Sequence, residues 1–468
     1  MVFSAIFERF VESCPACVMY RATMENVFAP AKLDVLFRES AIVQYERELM
    51  FSTLVDLVGL VVCRVSPSVH AAYVRKRDRV SVSIRALYDK LMHVETVTSR
   101  ALVQHTAAQV GELIDRTKGG RKPLLKGYRT RILDGNHLHR TDRRLKVLRN
   151  TSAAALPGQA LALLDPERMV IDDVIPCEDG HSQERSLLDQ VLLTIEKGDL
   201  LIDDRNFCTL KFLFGLKQRK ACFITRQHSG MPWKLLKKPR YMGRCETGRV
   251  FESLVELRHP ETGKTTQVRR ITVRLSGVTR DGDKEIHLLT NLPAGKARAV
   301  VVANLYRKRW TLEQAFNELT TYLRCELNTL GYPKAALFAF CVAVSTYNLL
   351  AAVKGALRGV HGEEVMETKV SNYFLTEEIS SMHGGMMIAL PPTDRENFQR
   401  MTPAGLTRQL QRWARKTDLR NYPKHPRAPK TAPARRRTNN GQHVATARLL
   451  ANSSENRQQN RKPKSASP

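Results

Sequence analysis

Apolar residues recur at three- and four-residue spacing through Ile42–Val62 and Arg85–Ile114, with few prolines, and predict a helical N-terminal region over residues 1–120. Glycines and basic residues then cluster in Thr117–Arg131, which reads as a junction or a phosphate-contacting loop. Beyond it the period changes. Arg131–Leu138, Ala160–Asp165 and Met169–Cys177 read as strands. Ser182–Lys197 reads as a helix with Ser182 as its cap, Asp199–Asp204 as a strand, Asn206–Gln218 as a helix and Ala221–Arg226 as a strand. That order predicts an α/β fold, a mixed sheet with helices on its faces.

Residues 231–295 alternate apolar and polar positions in VFESLVELRH, TTQVRRITVRLS and KEIHLLTNL, so a β-rich insertion is expected there. Helices resume at Lys296. Ala335–Val353 carries no charge, but it stands alone and holds Ser345, Thr346, Tyr347 and Asn348, so it reads as a buried core helix rather than a membrane span. The expected organisation is 1–120 helical, for DNA binding or assembly; 121–230 the first part of a catalytic core; 231–295 the insertion; 296–355 the second part of the core; 356–423 a C-terminal helical region; and 424–468 a disordered basic tail, rich in Pro, Arg, Lys, Asn and Ser.

Charge changes the picture. Against 46 acidic residues stand 75 Lys and Arg, a formal net charge of +29, which calls for a polyanionic partner. Nucleic acid is the obvious one, although an anionic membrane surface or ribosomal RNA fits the charge equally well. The nine cysteines are scattered, and Glu8, Arg9 and Glu12 interrupt the N-terminus before a signal-like apolar run develops, so a reducing, cytoplasmic setting is expected. Cys14 and Cys17 form a CxxC without a second pair at usable spacing, which is short of a four-ligand zinc site.

Three carboxylates stand out. Asp134 sits inside an apolar strand and precedes Gly135; Asp204 ends one and precedes Arg205 and Phe207; Glu313 sits on a helix beginning near Ala299. A carboxylate at the end of a buried strand is costly without a partner, and Mg²⁺ is a partner that takes oxygen ligands. Two such ions can serve phosphodiester displacement. Along Asn304–Glu326, Tyr306, Arg309, Glu313 and Thr320 fall on one narrow helical face, with Leu312, Phe316, Leu319 and Leu323 on an apolar stripe beside it. Spacing alone leaves open an ordinary amphipathic helix with a solvated face. Asp172 and Asp173 compete as acids but read as strand-end residues near a turn.

Tyr306, Arg309 and Glu313, with Trp310 beside the arginine, resemble the signature helix of bacterial insertion-sequence DDE transposases with the Tyr-Arg-Glu-Lys motif. Thr320 stands where the motif has lysine. LDGNHL around Asp134, DDRNF around Asp204 (which selects Asp204 over Asp203), LLTNLP at Leu288–Pro293 and TYNLL at Thr346–Leu350 are similar to that family's blocks. The resemblance covers about 130 to 350. It implies a ribonuclease-H-like fold interrupted by the β insertion, and Mg²⁺-dependent cleavage of double-stranded DNA at transposon ends with strand transfer into target DNA. It also implies Asp134, Asp204 and Glu313 as metal ligands, with Mn²⁺ as a substitute ion. Tyr306 and Arg309 would then be DNA-phosphate contacts, and a homodimer would assemble on DNA with no membrane involved. The alternative is a catalytically silent DNA-binding relic, toward which Thr320 leans.

Overall fold

The computed structural model describes residues 3–138, 145–148, 154–279, 282–327, 329–425 and 443–451. Helices come first: α1 (Ala5–Ser13), α2 (Pro15–Val27), α3 (Pro30–Ser40), α4 (Phe51–Val62), α5 (Val69–Arg75), α6 (Ile84–His93) and α7 (Thr96–Arg116). Ser4, Ser68 and Ser83 accept from the backbone amides that α1, α5 and α6 leave unpaired, and prolines open α2 and α3. Two stretches differ from the periodicity. Residues 42–50 are irregular because the Glu95 carboxylate accepts from the amides of Ile42, Val43 and Gln44, which offers that backbone an alternative to helix. The same region divides Arg85–Ile114 into α6 and α7.

The sheet follows: β1 (Arg129–Leu138), β2 (Ala154–Leu156), β3 (Gly158–Asp165), β4 (Val170–Cys177), β5 (Asp199–Asp203), β6 (Cys222–Arg226), β7 (Lys234–Cys245), β8 (Gly248–Arg258), β9 (Thr265–Leu275) and β10 (Glu285–Thr290). Nine of these form one sheet in the order β4-β3-β1-β5-β6-β10-β9-β8-β7. β3 and β4 are antiparallel beside β1, while β1, β5 and β6 run parallel. Residues 231–295 join this sheet: β10 pairs with β6, and β9, β8 and β7 extend it as an antiparallel meander. Fully buried β3 and β5 read as continuous apolar runs, whereas β8 alternates buried and exposed positions.

Between β4 and β5 the expected long helix is a 3₁₀ turn, Glu184–Leu187, followed by the short α8 (Leu188–Leu193). Ser182 does not cap it; its hydroxyl pairs with that of Ser186. Likewise Asn206–Gln218 resolves into a 3₁₀ turn, Arg205–Phe207, and α9 (Leu210–Gln218), capped by Thr209.

After β10 come α10 (Ala299–Arg307), α11 (Trp310–Tyr322), α12 (Pro333–His361), α13 (Glu363–Thr368), α14 (Asn372–Ala389), α15 (Pro392–Gln399) and α16 (Pro403–Lys416). α12 is long and apolar enough to cross a membrane, but its apolar window is wholly buried among α2, α4, α7, α16 and β4. Asn348, fully buried, exchanges two hydrogen bonds with the backbone of Ile171 in β4. At its far end α12 meets the junction loop so closely that a Cβ on Gly119 would stand 2.1 Å from the Gly355 carbonyl oxygen.

Part of the stretch 424–468 is built into the fold: β11 (His443–Ala445) pairs in parallel with β2, and Arg448 salt-bridges Asp179. Most of the remaining tail, and most of the basic run Arg140–Arg149, lies outside the described residues.

Candidate active site

Register brings the first two acids together. β1 and β5 run side by side with Ile132 opposite Ile202. Two positions further on lie Asp134, still within β1 but past its pairing with β5, and Asp204, just beyond the end of β5, side by side. Pleating turns the neighbouring Asp203 to the opposite face, where it is fully buried and burial pushes its carboxyl well above the usual range. Asp204 is therefore the acid that faces the site.

The third acid arrives from α11. The predicted single helix over 304–326 is broken: α10 ends at Arg307, and the chain tightens into i→i+3 bonds, Lys308 to Leu305, Arg309 to Tyr306, Thr311 to Lys308 and Leu312 to Arg309. The apolar stripe survives, with Leu312, Leu319 and Leu323 buried and Phe316 packed partly against the core. Tyr306 donates its hydroxyl to Asp204 Oδ1 at 3.1 Å. Arg309 donates to Asp134 Oδ2 at 2.8 Å and to Glu313 Oε1 at 2.7 Å. Asp134 also accepts from the Gly135 amide at 3.0 Å. Tyr306 and Arg309 thus tie three acids from three elements into one cluster.

Electrostatics follow from burial. Desolvation pushes Asp134 up to about 6, against the pull of Arg309, and Glu313 and Asp204 add to the rise. Burial, then the Asp204 carboxylate, holds the Tyr306 phenol well above its ordinary value, so it stays a donor. Burial works against the charge of Arg309, but Asp134, Tyr306, Asp204 and Glu313 more than offset it. Among the described residues these three acids do not close to within 4.8 Å of one another; Arg309 sits between two of them. An all-carboxylate donor set is of the kind that suits a hard divalent cation such as Mg²⁺.

The competing acids are occupied elsewhere. Arg100 grips Asp173 with two hydrogen bonds, and Arg131 pairs with Asp172 at 2.7 Å. Thr320 is exposed, with its hydroxyl bonded back to the carbonyls of Phe316 and Asn317. A further acid stands close by, against the opposite face of β1. Glu184 accepts from Asn206 at 2.9 Å and stands 3.8 Å from His137, bridging the β1 and β5 ends. A Cβ on Gly135 would lie 2.0 Å from Glu184 Oε1, so the glycine after Asp134 was its one sequence signal.

Residues 126–349, a little under half of the chain, match the family described as Transposase DDE domain, and the segment contains Asp134, Asp204, Tyr306, Arg309 and Glu313. The match supports a DDE transposase. A particular relative is y4zB of Sinorhizobium fredii, named as a transposase, 29% identical over 161 residues; the match spans 34% of this chain and 43% of that protein. A solved structure of the piggyBac transposase synaptic complex with hairpin DNA aligns over 82% of this chain and 84% of its own, at a TM-score of 0.38 and 10% identity, too distant a likeness to carry an argument.

Proposed function

We propose that this chain is the transposase of an insertion sequence, cleaving double-stranded DNA at the element's ends and transferring the cut strand to target DNA. The observation that carries the reading is the convergence of Asp134, Asp204 and Glu313 through Tyr306 and Arg309, within the segment that matches a transposase domain. The strand order β4-β3-β1-β5-β6, three antiparallel strands followed by two parallel ones, supports a ribonuclease-H-like core. On this reading β7 to β10 are an insertion before the helix that carries Glu313.

Asp134, Asp204 and Glu313 would hold Mg²⁺, or Mn²⁺ in its place. When bound, the metal supplies Lewis-acid stabilisation of charge on the attacking and leaving oxygens of the phosphodiester. The chain's own groups position the DNA. Arg309, released from its acids, presents a planar guanidinium fork to a phosphate, and Tyr306 offers a hydroxyl held in its donor form. The exposed basic strand β7 tracks the DNA backbone, and two copies of the chain bring two ends together. The reaction takes place in the cytoplasm, at the nucleoid.

The test is cleavage of DNA carrying the ends of the element that encodes the chain, with Mg²⁺ or Mn²⁺ and with Glu313→Gln beside the wild type. Metal-dependent nicking that disappears in the variant supports the reading. Binding without cleavage by the wild type would leave a silent DNA-binding relic, and nicking that survives in the variant would show that Glu313 is the wrong acid.

A further inference from the structure

Remote from the catalytic acids, the CxxC of the N-terminus finds a third donor. Cys14 caps α2 and Cys17 lies in its first turn, with the Cys17 amide bonded to the Cys14 carbonyl at 3.0 Å. That turn brings both sulfurs to one side of the helix. Glu378, from the middle of α14, points at them: its Oε1 stands 3.8 Å from Cys17 Sγ, and one donor atom from each of the three residues lies within 4.8 Å of the others. Both cysteines are buried, Glu378 is half-buried, and the buried Tyr422 hydroxyl adjoins Glu378.

We propose that Cys14, Cys17 and Glu378 bind a thiophilic divalent cation of the zinc type, which clips α2 to α14. Tetrahedral zinc, with bonds of about 2.3 Å to sulfur and about 2.0–2.2 Å to oxygen, requires sulfur and carboxylate oxygen roughly 3.6 Å apart, close to the separation found. Binding releases two thiol protons, and the dication offsets two thiolates and a carboxylate that burial would otherwise set against one another. A water or the Tyr422 phenol completes the fourth position. Magnesium is disfavoured because two of the three donors are sulfur.

The test uses the full-length chain, reduced, loaded with zinc or cobalt(II) and freed of excess metal. About one tightly held zinc per chain is expected, retained when Asp134 and Asp204 are both changed to Asn and absent in the Cys14→Ser, Cys17→Ser double variant. Glu378→Gln should weaken binding by more than the roughly tenfold that loss of an outer-shell partner costs. Cobalt should give a thiolate charge-transfer absorption that a chelator removes, a readout on the wild type that stands even if the double variant does not fold. At free zinc a hundredfold above Kd, the folded-to-unfolded ratio should rise about a hundredfold. Zinc held equally by the double variant, or absence of the cobalt–thiolate band from the reduced wild type, would overturn the proposal.

Discussion

Arg309 holds Asp134 and Glu313 at once, through separate nitrogens of one planar group. Lysine cannot reproduce that fork, so Arg309→Lys should fold as the wild type does yet lose about a hundredfold or more in strand cleavage, read on end-bearing DNA. Asp134 gives a second expectation, for the metal-free protein. Its folded value of about 6 lies above the ordinary 3.8. The stability it contributes is therefore fully present below about 3.8 and is lost as pH rises through about 6, an effect of about 3 kcal/mol at most for a side chain this buried. Melting curves from pH 4 to 8 should show the wild type losing stability relative to Asp134→Asn between about pH 4 and pH 6, with the variant the more stable and the gap constant above that; a separation that does not change between pH 4 and 6 would refute this. At this scale much of the cluster was legible, because an acid ending an apolar run needs a partner. The placement of Glu184 was not, because it depends on the space Gly135 leaves on the other face of β1, and sequence spacing does not report space.

At the scale of elements, two sequence blocks acquire a physical explanation. The asparagine of LLTNLP, Asn291, bonds the Phe223 amide and the Ala221 carbonyl at the start of β6. The asparagine of TYNLL, Asn348, does the same for Ile171 in β4. Each is a clamp that satisfies backbone groups a sheet would otherwise bury unpaired. Asn348→Leu strands a buried amide and a buried carbonyl, and should cost about 2–5 kcal/mol in denaturant unfolding while leaving DNA binding untouched. Gly359→Ala places a Cβ 2.1 Å from the Thr117 carbonyl oxygen. It should cost about 1–3 kcal/mol by levering α12 off the junction loop. The strands were readable from alternation and apolar runs. The breaks were not: the split at Lys308–Arg309 and the loss of helix over 42–50 come from local hydrogen bonds, one set tightened to three-residue spacing and the other captured by Glu95.

For the whole molecule, one share of the basic excess has a location in β7, an edge strand exposed over most of its length that carries Lys234, Lys237, Lys238, Arg240 and Arg244 without an acid. Pro239 and these charges also discourage another chain from pairing there. If β7 follows DNA phosphates, changing Lys234, Lys237 and Lys238 to Gln should lower the slope of log affinity against log salt by about 0.9 for each phosphate left without its lysine; an unchanged slope would assign β7 to edge protection alone. Composition called for a polyanionic partner but could not point to this face, since charge totals carry no position. Helix α12 has a consequence of another kind. The N-terminal helices α2, α4 and α7 rest on it, yet it is synthesised only after the whole sheet. Helices α3, α4, α5 and α7 pack partly on one another, but the faces of α2, α4 and α7 that meet α12 gain their cover only after the sheet between them has been made, so this part of the core closes late and its apolar faces are the ones exposed meanwhile to wrong partners.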